Sequence, residues 1–232
     1  MLTDRNNGPK TVDELEKTVF WKLIVKDYSP VVTKNEKSEE EDFYYEVFVK
    51  SYNIIGTLRT LELIVELLKE LTQEDMGINS RKITLIRYHV ENFYSRITKV
   101  NDQILLLINV IFSLELQEKE CYYRTVSNKL KKISETENIL DYLTSNSEAF
   151  EVIRDERNKI THRENFLDLD FANLSASAFL GKATSGELNE YLGAKITIFE
   201  KYIVMVINWA FWAGVLLMKP YNNRKGLLKK EI

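Results

Sequence analysis

The chain is short of residues that break helices. It holds three prolines and eight glycines among 232 residues. Proline ends or kinks a helix and glycine weakens one, so their scarcity favours long helices over many short strands. Cysteine is scarcer still: a lone Cys121 excludes an internal disulfide framework and a cysteine-based zinc site. With only two histidines, His89 and His162, a metal centre would need mostly carboxylates. No such cluster stands out in the sequence, so neither a metal nor another cofactor is expected. A basic excess is missing too, and a net charge of −3 argues against a general nucleic-acid binder. Basic stretches occur locally, at 119–132 and 219–232, and are expected to be a solvated helix face and a disordered tail. The opening MLTDRNNGPK has no apolar run of the secretory kind, which makes the cytoplasm the default expectation.

What is present is periodic apolar sequence. Apolar residues make up 44% and charged residues 29% of the chain, the balance of an ordinary globular protein with room for a core. Residues 1–42 read as an extension of undecided structure. Thr11 and Glu14 have capping-box spacing, yet the alternation around Val19, Trp21, Leu23 and Val25 suits a strand equally well. Ser29-Pro30 ends that element, and 33–42 reads as a charged linker. From Phe43 to Leu71 the pattern is helical, with Val47, Ile54, Leu58, Leu61, Val65 and Leu68 on one face. A break at 76–79 precedes the longest pattern in the chain. Ile86, Val90, Phe93, Ile97, Val100, Ile104, Leu107, Ile111 and Leu114 alternate spacings of four and three, a seam about 50 Å long. Its second half is apolar all round, which requires cover from several neighbours or from another subunit. A further helix is expected to break near 133. Ser145 with Glu148 is expected to cap the next, 167–186 reads as a long loop, and Thr184 with Glu187 caps the last helix. The expected architecture is an all-α antiparallel bundle of four to five long helices spanning 43–218, with a basic tail at 219–232.

The last helix contains seventeen uncharged residues from Tyr202 to Met218. That is about 26 Å of helix against a bilayer core of about 30 Å. Its seam runs on in register through the charged turns before it, as in a buried bundle helix rather than a membrane span.

Candidate chemistry gathers in Glu151–Phe166, EVIRDERNKITHRENF. Arg157 falls on a helical wheel beside Phe150, Ile153 and Ile160, on the apolar stripe. A guanidinium there needs an anionic partner, either an acid on another helix or a phosphate. Asn158 and His162 are four apart and share a neighbouring face. Arg157 and His162 diverge by about 140° in an ideal helix. They meet in one site only if the helix opens before His162 or a second copy of the chain completes the site. An imidazole that titrates near neutrality and a permanently charged guanidinium together suit phosphodiester cleavage without a metal. The alternative is a helix end where Arg157 bridges an acid and His162 caps the C-terminus. For His89, with no arginine at comparable spacing before it, packing or solvent contact is expected.

Arg157-Asn158-Lys159-Ile160-Thr161-His162 resembles the Arg-(four to six residues)-His motif of the HEPN superfamily. The long helix containing RYHVENFYSRITKVND resembles the companion helix of its bacterial stand-alone members. The resemblance implies an HEPN-like bundle that dimerises, with motifs of two subunits lining one cleft, and metal-independent endoribonuclease activity on RNA. It implies toxin–antitoxin, phage-defence or RNA-processing roles, and with the first of these an antitoxin or nucleotidyltransferase partner. Arg157 and His162 would be catalytic and Asn158 supporting. Some members are non-catalytic, so a helical module that binds nucleotide, RNA or protein is the other implied function. Asn165 stands where some toxin members carry a modifiable tyrosine, so that mode of control is not implied.

Overall fold

The computed structural model describes residues 8–73, 78–161 and 169–229, the side chains of 159–161 and 169 excepted. Those residues form eight α-helices and no strand: α1 (Val12–Glu16), α2 (Val19–Tyr28), α3 (Glu39–Gln73), α4 (Ser80–Phe112), α5 (Tyr123–Leu130), α6 (Glu137–Thr161), α7 (Leu169–Phe179) and α8 (Ser185–Leu228). A 3-10 turn at Glu118–Glu120 precedes α5.

The long seam is α4. Asn79 starts it by accepting a hydrogen bond from the Lys82 amide at 2.9 Å. Ile86, Val90, Phe93, Ile97, Val100, Ile104, Leu107 and Ile111 are all buried. The helix ends at Ser113, whose left-handed φ of 49° turns the chain away. Its all-round apolar second half is covered because α4 packs against α3, α6 and α8 at once. Phe93 of α4 lies flat on Phe199 of α8, centroids 3.7 Å apart. The expected face of α3 is buried throughout, from Val47 to Leu68. α8 opens with the expected capping box, the Glu187 amide donating to Thr184 Oγ1 at 3.2 Å and the Thr184 amide to Glu187 Oε2 at 2.8 Å.

Several segments differ from expectation. The undecided stretch at 12–27 is helical: Phe20, Trp21 and Ile24 are buried while Val19 and Val25 are exposed, a helical rather than alternating pattern. α2 docks on α8 where the chain has Gly214, because a Cβ there would come within 2.8 Å of the Phe20 ring. Part of the charged linker is the first turn of α3. Ser38 and Glu41 cap it reciprocally, and four acids at 39–42 suit a helix N-terminus. The expected cap at Ser145 does not start a helix. α6 runs unbroken from Glu137, and the Ser145 hydroxyl donates back to the Asp141 carbonyl at 2.8 Å. The long loop expected at 167–186 contains α7, held by buried Phe171 and Leu174 and closed by Gly181 at φ 65°. Two anchors in an Ala/Ser-rich stretch are too few to show a period. The expected tail at 219–232 is helix as far as Leu228. Tyr221 is buried, and its hydroxyl donates to Asp27 at 2.8 Å while Lys225 pairs with the same carboxylate at 2.6 Å. These partners lie on α2, far away in sequence.

Among the described residues, α8 is the one helix long and apolar enough to cross a bilayer by length and composition. Its seam residues Leu192, Phe199, Ile203, Val206, Ala210 and Leu217 are buried within the bundle.

Candidate functional site

α6 carries the Arg157 motif, and its placement follows from its apolar residues. Leu143, Phe150 and Ile153 are buried on one stripe. The Phe150 ring lies 4.0 Å from that of Trp209, and Tyr142 donates to the Trp209 carbonyl at 2.9 Å. These contacts fix α6 on α8 and set its rotation. One turn beyond Ile153 the stripe becomes polar: Arg157 and Asn158 are both half-buried. The helix continues through Thr161, so it does not open between Arg157 and that residue. His162 lies outside the described residues, as does Asn165, and the Arg157–His162 pairing is therefore not described.

Asp102 of α4 lies within range of the charges of Arg154 and Arg157. Enclosure by protein raises the Asp102 carboxyl above its ordinary range, while the charges of Arg154 and Arg157 and a hydrogen bond with Asn101 pull it back down. Arg154 also has Glu151 on its own helix, at 3.7 Å. On the other side of α6, Glu156 lies near Tyr202 of α8. Burial raises that phenol and the Glu156 charge raises it further. The end of α6 is thus a polar seam between α4 and α8, with acids and arginines alternating around it. Asp102 and Tyr202 were not foreseen. The one available signal was an acid at 102, directly ahead of the all-apolar half of the α4 pattern.

His89 is partly buried on α4, edge-on to Tyr88. Burial lowers its pKa, and its Nδ1 has no hydrogen-bond partner.

Two open grooves lie elsewhere. One, of about 480 Å³ between α7 and α8, carries Asp170, Glu187 and Glu190 against one cation, Lys195. The other, of about 780 Å³, lies beside Glu135, Lys219 and Arg224. Neither is lined by Arg157 or Asn158. Among the described residues no group of three or more His, Cys, Asp or Glu side chains is placed to hold a metal.

A family model described as HEPN_Cthe2314-like HEPN matches residues 10–209. The match takes in α1 and α2 as well as the long helices. No curated protein and no solved structure matches the chain.

Proposed function

Because the chain belongs to the HEPN_Cthe2314-like HEPN family, we propose that it is a metal-independent endoribonuclease acting as a homodimer. The observation that carries this is a half-buried arginine on the apolar stripe of α6, next to Asn158 and ahead of His162. In this mechanism the RNA 2′-oxygen attacks phosphorus and the bond from phosphorus to the 5′-oxygen breaks. His162 takes the 2′-hydroxyl proton and returns one to the leaving 5′-oxygen. Arg157 holds the phosphate oxygens as charge builds on them, and Asn158 orients the imidazole. The products are a 2′,3′-cyclic phosphate and a free 5′-hydroxyl. That α6 is helical through Thr161 favours a cleft shared by two chains over a helix opened within the motif. A toxin–antitoxin, phage-defence or RNA-processing role fits such an enzyme, with an antitoxin or nucleotidyltransferase as partner in the first case.

The test is RNA cleavage by the purified chain in EDTA, with analysis of the product ends. Full activity in both His162→Ala and Arg157→Ala would sink the proposal. A second function is favoured by Asp102, a carboxyl on α4 within range of the Arg154 and Arg157 charges, where a phosphate would otherwise be needed. A helical module of that kind binds nucleotide, RNA or protein without turnover, and catalytic RNA cleavage by the dimer excludes it.

A further inference from the structure

The larger of the two open grooves lies at the start of α6, about 30 Å along that helix from Arg157. It measures about 780 Å³, within the range of about 300–1,000 Å³ of small-molecule sites. The end of α4, the turn before α6 and the last turns of α8 form its walls. The α8 wall, at 215–227, begins past residue 209, where the family match ends. That wall is therefore not among the features that place the chain in its family.

Two observations say what fits. The first is an apolar surface left open to water. Ile133 is 37% exposed, Val215 44% and Leu227 63%. All three line this groove, beside half-buried Phe112, Leu216 and Pro220. Exposed apolar residues gathered on one concavity mark a binding surface, whereas single ones scattered over a protein do not.

The second is a charge without a counter-charge. Arg224 lines the groove and is half-buried. Its described contact is with the face of the Phe43 ring, 5.4 Å away, which attracts a cation weakly and does not neutralise it. The neighbouring lysines hold acids of their own: Lys225 pairs with Asp27 and Lys219 with Glu135, each at 2.6 Å. Glu137, the remaining acid in the lining, is exposed to water. Arg224 has no acid partner among the described residues, and only its Nε is enclosed. The two terminal nitrogens are not enclosed, and that fork is the part of arginine that grips carboxylate or phosphate.

We propose that the groove binds a small amphipathic anion, its apolar body on Phe112, Val215 and Leu227 and its carboxylate or phosphate head on Arg224. A purely apolar molecule leaves Arg224 unmet, and a bare anion leaves the apolar wall in water. The site is independent of the RNA-cleavage proposal and shares no residue with it.

The experiment is calorimetric titration of the purified full chain, with each probe below its micelle-forming concentration. Decanoate and decyl phosphate separate a carboxylate source from a phosphate source. Decyltrimethylammonium carries a comparable body with the opposite charge. Saturable binding of either anion, at least about tenfold tighter than of the cation, is expected. Arg224→Gln should weaken the anions about tenfold, the scale of one charge-assisted hydrogen bond, and leave the cation unchanged. If that variant does not fold, Leu227→Ser at an exposed position carries the test. It should weaken the anions about threefold by shrinking the apolar wall. Failure of both anions to saturate would overturn the proposal, and so would a cation that binds as tightly. Undiminished affinity for the anions in a folded Arg224→Gln chain, or in Leu227→Ser, would overturn it as well.

Discussion

α4 and α6 lie side by side in the bundle and are built on the same periodic apolar stripe, but they end differently. In α4 the stripe stays apolar from Ile86 to Ile111 and every seam residue is buried. In α6 Leu143, Phe150 and Ile153 are buried with the polar Asn146 between them, and the stripe then presents Arg157 and Asn158, half-buried. Continuous burial is what a scaffold needs, because each apolar side chain removed from water adds to stability. A guanidinium in the same register adds desolvation cost unless an anion meets it. A charged residue on one stripe, beside an apolar neighbour, is the ground for placing the proposed site at the end of α6.

The comparison breaks first on stability. Phe93→Ala removes a fully enclosed ring stacked on Phe199. It should cost about 3–5 kcal/mol in denaturant unfolding, whereas Arg157→Ala should cost far less. Activity reverses that order. With the fold intact, Arg157→Ala should lower RNA cleavage by about 100- to 1,000-fold, the loss seen when one group stabilising a developing oxyanion is removed. A variant as active as the parent would make α6 a second scaffold helix.

Asp102 belongs to α4 by sequence and feels the charges of Arg154 and Arg157 on α6, so Asp102→Asn sharpens the division between them. If it positions Arg157, cleavage should fall about tenfold, the scale of one charge-assisted interaction, mainly in kcat. The same change has a pH signature. The folded-state carboxyl titrates above its unfolded value, so the folded state holds more protons between the two. Stability should then decline as pH rises through that window, and Asp102→Asn should flatten the decline.

The smallest effect concerns His89, the histidine of the scaffold helix. Its folded-state pKa is depressed, so the unfolded state takes up a proton first as pH falls. Its contribution to stability is present above the ordinary histidine range and is lost on acidification through that range. His89→Gln should reduce this loss and leave RNA cleavage unchanged; reduced cleavage would place α4 in the active machinery.

Much of the bundle was legible beforehand. The α4 seam, the α3 face and the Thr184 cap of α8 are local patterns, each set by residues three or four apart. Where the pattern was thin, expectation failed. α7 shows two buried anchors, Phe171 and Leu174, among Ala and Ser, and Ser145 matched a capping spacing but turned its hydroxyl to a carbonyl one turn back. At the candidate site, Arg157 on the apolar stripe was evident from the wheel alone. Its neighbour Asp102 was not, because a helical pattern specifies a buried face without naming the helix that will cover it.

The sequence by itself determined that this chain makes long helices with seams and that an arginine interrupts one of them. Helical period, caps and breakers act within a few residues, and they are written in order along the chain. Only the tertiary structure decided that Asp102 comes under the charges of Arg154 and Arg157, that Gly214 admits Phe20, and that Asp27 receives Tyr221 from 194 residues away. Those choices depend on which faces pack together, a property of the whole bundle's shape and buried area rather than of any local spacing.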